Sequence, residues 1–168
     1  MIDYIRKLFG KYKRKGVIVD TNILLLLFVG SVNKKRIYKF NRTEQFSPKD
    51  YDFLVEIISY FSKIVVTPNI LTEVSNFINQ LSEPERSQAL EYLAKALTKW
   101  DEFYVESSTA TQVDKFTKFG LTDSGIISLA QGKYLVLTDD FKLANYLEKI
   151  EIDTVNFNHI RVSGWKEN

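Results

Sequence analysis

Cysteine is absent from this 168-residue chain, which excludes disulfides, thiolate zinc sites and cysteine nucleophiles together. Histidine is almost absent: the lone His159 cannot build a histidine metal site and leaves a Ser-His-Asp triad only one candidate base, so it reads as a structural residue. Long apolar runs are missing too. The longest, from Ile23 to Val29, falls far short of the roughly 18 residues that span a bilayer. The opening MIDYIRKLFGKYKRKG lacks the apolar stretch of a secretory signal. These absences predict a cytoplasmic protein with no membrane association. No internal repeat, low-complexity tract or long linker interrupts the chain.

What is present is a globular composition, 45% hydrophobic and 26% charged, with a length that suits one domain. Net charge is only +2, too small to imply a nucleic-acid partner by itself. Its distribution says more. Arg6, Lys7, Lys11, Lys13, Arg14 and Lys15 crowd residues 1–15 against a single Asp3. Ile2, Ile5, Leu8, Phe9 and Tyr12 recur there at helical spacing, so the stretch predicts a basic amphipathic helix broken or loosened at Gly10. It reads as a helix docked on a domain of residues 16–168, in preference to a nucleic-acid or membrane role.

The run GVIVDTN, Gly16 to Asn22, organises the remainder. Val17, Ile18 and Val19 predict a buried parallel strand, and Asp20 stands at its carboxyl end, where open α/β sheets bind ligands. A buried helix follows from Asn22 to about Gly30. In residues 31–46, Lys34, Lys35, Arg36, Lys39 and Arg42 alternate with Ile37, Tyr38, Phe40 and Phe46. That interleaving suits single-stranded RNA or DNA and equally a charged loop or hairpin with its aromatics turned inward. Ser47-Pro48-Lys49-Asp50 predicts a helix start with a capping box. KIVVT at 63–67 predicts a strand, and Thr67-Pro68 opens a helix in which Glu73 lies beside the apolar stripe. A carboxylate there is costly without a partner. Ser82-Glu83-Pro84-Glu85 repeats the capping pattern, and Phe103 to Glu106 suggests a third strand. Thr122 reads as the cap of a helix carrying Asp123 in its first turn and ending at Gly132. Tyr134 to Leu137 is a strand ending on Asp139 and Asp140, and TVNF at 154–157 is the last strand.

Strands alternating with helices predict an α/β fold with a parallel sheet and right-handed crossovers. Asp20 and the Asp139-Asp140 pair then emerge at one edge, with Asp123 starting the preceding helix. Asp123 and Asp140 read individually as helix caps with about equal weight. Gathered with Asp20 and Glu73, they would repel one another strongly unless protonated or neutralised. Mg²⁺ or Mn²⁺, hard cations that take oxygen ligands, would relieve that repulsion. The chemistry such a site suits best is phosphodiester hydrolysis.

At VIVDTNILL (17–25), TPNILTEVSNFI (67–78), FGLTDSGIISLA (119–130) and YLVLTDDFKLANYL (134–147) the sequence resembles the PIN-domain family of nucleases. The resemblance implies a three-layer α/β/α sandwich with a central parallel sheet and an Mg²⁺- or Mn²⁺-dependent endoribonuclease acting on RNA. It implies Asp20, Glu73, Asp123 and Asp140 as catalytic metal ligands, with Asp139 as the other candidate of its pair. Thr21, Asn22 and Thr138 would orient those carboxylates. Many small members are VapC-like toxins of toxin-antitoxin pairs, which adds an antitoxin or other protein partner, and a homodimer, to the expectations. The basic helix and the long segment between Asp20 and Glu73 depart from that compact pattern. Two other classes compete: a non-catalytic PIN-fold module binding RNA or protein, and a phospho-acceptor receiver domain. The latter expects an early acid pair and a lysine after a late strand, and the chain has neither.

Overall fold

The computed structural model describes residues 2–163; the last five residues of the predicted 16–168 domain lie outside them. In chain order the elements are α1 (Ile2–Tyr12), β1 (Val17–Val19), α2 (Thr21–Val32), a 3-10 segment (Lys34–Lys39), α3 (Pro48–Tyr60), β2 (Ile64–Val66), α4 (Pro68–Ile78) and α5 (Glu85–Leu97). They continue with β3 (Asp101–Glu102), α6 (Ser107–Ala110), α7 (Phe116–Ala130), β4 (Leu135–Thr138), α8 (Phe141–Lys149), β5 (Thr154–Asn156) and α9 (Phe157–Ser163).

The five strands form one sheet in the order β3-β2-β1-β4-β5, and every pairing is parallel. Connections from β1 through β2 to β3 step one way across it, and those from β3 through β4 to β5 step back. Right-handed crossovers therefore distribute the two sets of helices over opposite faces, an arrangement compatible with a three-layer α/β/α sandwich. Accordingly α2 packs with α3, α4 and α5, and α7 with α8. The direction reverses between β1 and β4, which makes their carboxyl ends the switch point of the sheet.

β1, β2 and β4 are buried at every residue, which is why they read as unbroken apolar runs. α2 is apolar on nearly all sides because the helices beside it and the sheet beneath enclose it. Ile23, Leu24, Leu25 and Leu26 have no exposed surface, each contributing roughly 1.5–3 kcal/mol by burial. The helix, expected to end near Gly30, runs two residues further to Val32. Gly30 is there for room, since a Cβ on it would lie 2.2 Å from Cδ2 of Tyr51 on α3.

Other differences have equally local causes. α1 runs through Gly10 unbroken and ends at Tyr12, because Ile5, Leu8, Phe9 and Tyr12 are buried in the common core and packing outweighs the cost of one glycine. After α2 takes up Ser31 and Val32, residues 33–46 make a 3-10 segment and turns, with Ile37, Phe40 and Phe46 buried. Several of its cations have protein partners: Arg36 pairs with Glu85, Lys34 with Asp52 at 2.5 Å, and Arg42 lies over the Phe77 ring at 4.5 Å. Ser47 and Asp50 do form the reciprocal capping box. Ser82 does not cap α5, whose N-cap is Pro84 without a side-chain hydrogen bond. β3 lies two residues earlier than expected, where Asp101 and Glu102 pair with Val65 and Val66. β5 ends at Asn156, and Phe157 opens α9. Among the described residues no helix is long and apolar enough to cross a membrane.

Candidate active site

β1 delivers Asp20 to the switch point, where it serves as N-cap of α2. Its Oδ1 accepts the Thr21 N–H at 2.6 Å, and its Oδ2 accepts the Thr138 hydroxyl at 2.6 Å. Thr138 ends β4 on the neighbouring strand, and its oxygen in turn accepts the Asp140 N–H at 3.0 Å. Asp20 is only 6% exposed. Burial pushes its carboxyl from 3.8 up to about 6, aided by the charges of Asp139 and Asp140 and opposed by the bonds from Thr138 and Thr21.

Glu73 comes from the second turn of α4, whose first turn is held by Thr67 and Pro68. Half-buried, it has an acceptor bond on each oxygen: the Thr21 hydroxyl donates to Oε2 at 2.9 Å and the Thr122 hydroxyl to Oε1 at 2.6 Å. Asp123 follows a kink in α7 at Gly120, whose φ of 74° and ψ of −172° suit glycine alone. The kink starts a fresh helical segment and sets Asp123 in its first turn. Burial raises the Asp123 carboxyl from 3.8 to about 7, and the charges of Asp20, Asp140 and Glu73 push the same way. The charges of acids from β1, α4 and the end of β4 thus all act on Asp123 of α7.

The Asp139-Asp140 pair divides its work. Asp140 is exposed and caps α8, its Oδ1 accepting from the N–H groups of Lys142 and Leu143 at 2.6 and 3.0 Å. It therefore caps a helix and also adds charge to Asp20 and Asp123. Asp139 is half-buried and accepts from the Asn22 amide at 3.3 Å. Burial raises its carboxyl, with the Asn22 bond opposing. Each hydroxyl or amide expected beside the acids, on Thr21, Asn22 and Thr138, hydrogen-bonds one of them.

Sequence reasoning missed Thr122 as a partner of Glu73, because a threonine just before an acid at a helix start reads as a cap. It also missed Asn158, whose amide donates to the Asp139 carbonyl at 3.0 Å; no local signal marks that contact. His159 lies outside the acid group, exposed on α9 with its ring 5.3 Å from that of Phe141. Beside Glu73 and Asp123 opens a cleft of about 660 Å³, walled by Pro68, Asn69, Thr72, Phe119, Gly120, Leu121 and Thr122. It offers an apolar ring and polar groups directly against the carboxylates.

An all-oxygen, histidine-free donor set suits a hard divalent cation, which would offset both the burial of the Asp20 and Asp123 carboxylates and the smaller repulsion from their acidic neighbours. As the side chains lie, no three Asp, Glu or His among the described residues are arranged to hold one ion. Glu73 is held by two threonines and Asp140 by the α8 amides. Compared with known proteins, the chain matches no family model and no curated protein.

Proposed function

We propose that this chain is a PIN-like endoribonuclease, dependent on Mg²⁺ or Mn²⁺, that hydrolyses RNA phosphodiester bonds at the switch point between β1 and β4. Asp20, Glu73, Asp123 and Asp140 are its catalytic carboxylates, with Asp139 beside them. What supports the reading is one observation: a chain of hydrogen bonds through Thr21, Thr122 and Thr138 links Glu73 and Asp20 to the residues beside Asp123 and Asp140, at the carboxyl ends of β1 and β4. Acids distant in sequence meet where an open parallel sheet binds ligands.

The divalent cation, when bound, supplies Lewis-acid stabilisation of the scissile phosphate and a more acidic water. The chain's own residues prepare for it. Thr138 and the Thr21 amide keep both Asp20 oxygens oriented, and Thr21 and Thr122 do the same for Glu73. Burial and acidic neighbours disfavour the Asp123 carboxylate, a cost that a bound cation would offset. The cleft between α4 and the Gly120 kink admits a nucleotide, with Phe119 and Leu121 as apolar wall and Asn69 as polar contact. A toxin paired with an antitoxin, or a homodimer, is the assembly this reading leads one to seek.

Asp20→Asn tests the site. Cleavage of a fluorescent RNA with Mg²⁺ or Mn²⁺ is expected to fall by at least about 100-fold, whereas undiminished cleavage refutes the assignment. The second reading is a non-catalytic binding module of the same fold, favoured by the threonine bonds that occupy both Glu73 oxygens. Metal titration separates the two, because a module without the site lacks Asp20-dependent affinity for Mn²⁺.

A further inference from the structure

The basic residues near the N-terminus belong to the opposite edge of the sheet from the acids. All strands run the same way, so residues preceding them share that edge. The Ser62 N–H donates to the Lys13 carbonyl, the Val17 N–H to the Lys63 carbonyl and the Leu135 N–H to the Gly16 carbonyl. These bonds set Lys13 to Lys15, Lys63 and Lys133 side by side, all exposed. Two nearby acids are already engaged: Asp153 accepts from Lys11 at 2.5 Å and Tyr12 at 2.8 Å, and Asp101 stands 3.9 Å from Lys63. Among the described residues, Arg14 and Lys133 form no ion pair with a carboxylate, and Lys15, whose ammonium lies 5.6 Å from the Tyr12 ring, reaches Asp153 only through its charge.

We propose that this edge docks the phosphate backbone of double-helical nucleic acid, separately from the carboxylate cleft. Clustered cations gain affinity for a duplex by displacing its condensed counterions. Single-strand binding also needs exposed rings on which bases stack. Here Tyr12 is 5% exposed, and Lys13 lies over the Tyr60 ring at 4.9 Å. The exposed Tyr4 instead lines a hollow with Glu148, Glu151 and Asp153. A bilayer is disfavoured because Ile5, Leu8 and Phe9, the apolar face of α1, are buried in the core. Among the described residues this edge then offers a bilayer charge alone, and stable anchoring takes two signals. β1 and β4, which run between the two edges, are three and four residues long, about 10–13 Å, so a duplex held here extends a single strand toward the cleft.

The test uses the full chain carrying Asp20→Asn in chelator, so binding is read without cleavage and stands whether or not the hydrolase reading does. Anisotropy of a fluorescent RNA duplex is measured across salt concentrations for this protein and for versions adding R14Q/K15Q/K133Q or K35Q/K39Q. The triple substitution is expected to weaken binding about tenfold or more. It is also expected to flatten the dependence of log affinity on log salt by about 2–3, at about 0.9 per lost phosphate contact. K35Q/K39Q on the 3-10 segment is expected to bind as the parent does. Circular dichroism checks folding, and if the triple variant is unfolded, Lys133→Gln alone is read, with a flattening of about 0.9 expected. Duplex affinity and salt slope that survive substitution overturn the proposal. So does a loss confined to K35Q/K39Q, tighter binding of a single strand than of the duplex, or binding to phosphatidylserine vesicles with none to the duplex.

Discussion

The Thr122 hydroxyl donates to Glu73 at 2.6 Å, joining the post-kink segment of α7 to α4 across 49 residues of sequence. Thr21 holds the other oxygen of the same carboxylate at 2.9 Å. Glu73 is thereby fixed from two elements before any ligand arrives.

On the proposed function, those hydroxyls orient a ligand of the cation. Thr122→Val keeps the side-chain shape and removes the donor. It is expected to lower Mn²⁺ affinity about 10-fold or more, the usual effect of losing a group that orients a metal ligand. Calorimetric titration reads it, and unchanged affinity would show that the hydroxyl has no part in the site.

Asp20 and Asp123 make stability depend on pH. Both carboxyls sit above their ordinary 3.8, at about 6 and about 7, so between these limits the folded chain binds more protons than the unfolded one. Their contribution is fully present below about pH 4 and is lost as pH rises through about 6 to 7. Without divalent cations, the melting temperature is expected to fall between about pH 5 and pH 8. Asp123→Asn removes one of these charges and is expected to be more stable than the parent at about pH 8, by about 1–3 kcal/mol or several degrees. A parent whose melting temperature rises over that range contradicts the electrostatic account.

Two helical glycines should respond oppositely to alanine. Gly10 has open space where a Cβ would stand, and Gly10→Ala is expected to stabilise by about 0.5–1 kcal/mol. Gly30 would place its Cβ 2.2 Å from the Tyr51 ring, a clash with a packed aromatic that is expected to cost about 1–3 kcal/mol or more. Denaturant unfolding of the two variants measures the contrast, and equal effects would discount the packing at Gly30.

Much of the architecture was legible because buried parallel strands need no alternation. VIV, IVV and LVL announce themselves, and two of these runs stop on Asp20 and Asp139. Ser47 and Asp50 announce the start of α3 for a similarly local reason, since both partners of the capping box lie within one turn. The two-residue β3 has no pattern of its own and is defined by pairing with β2. The aromatics of residues 31–46 carried two readings at once; burial of Phe40 and Phe46 was decided by neighbours far along the chain. Thr122 was legible as a cap and illegible as a partner of Glu73, because the kink at Gly120 turns it toward α4.

By itself the sequence determined the type of element at most positions and the presence of acids at the ends of two strands, because hydrophobic period and capping chemistry act over a few residues. Tertiary structure alone decided that Asp123 feels the charges of Asp20, Asp140 and Glu73, that two threonines hold Glu73, and that the cations of residues 13–15 lie at the far edge beside Lys63 and Lys133. Those relationships depend on strand order and on the direction of each crossover, and they connect groups whose separation along the chain carries no local signal.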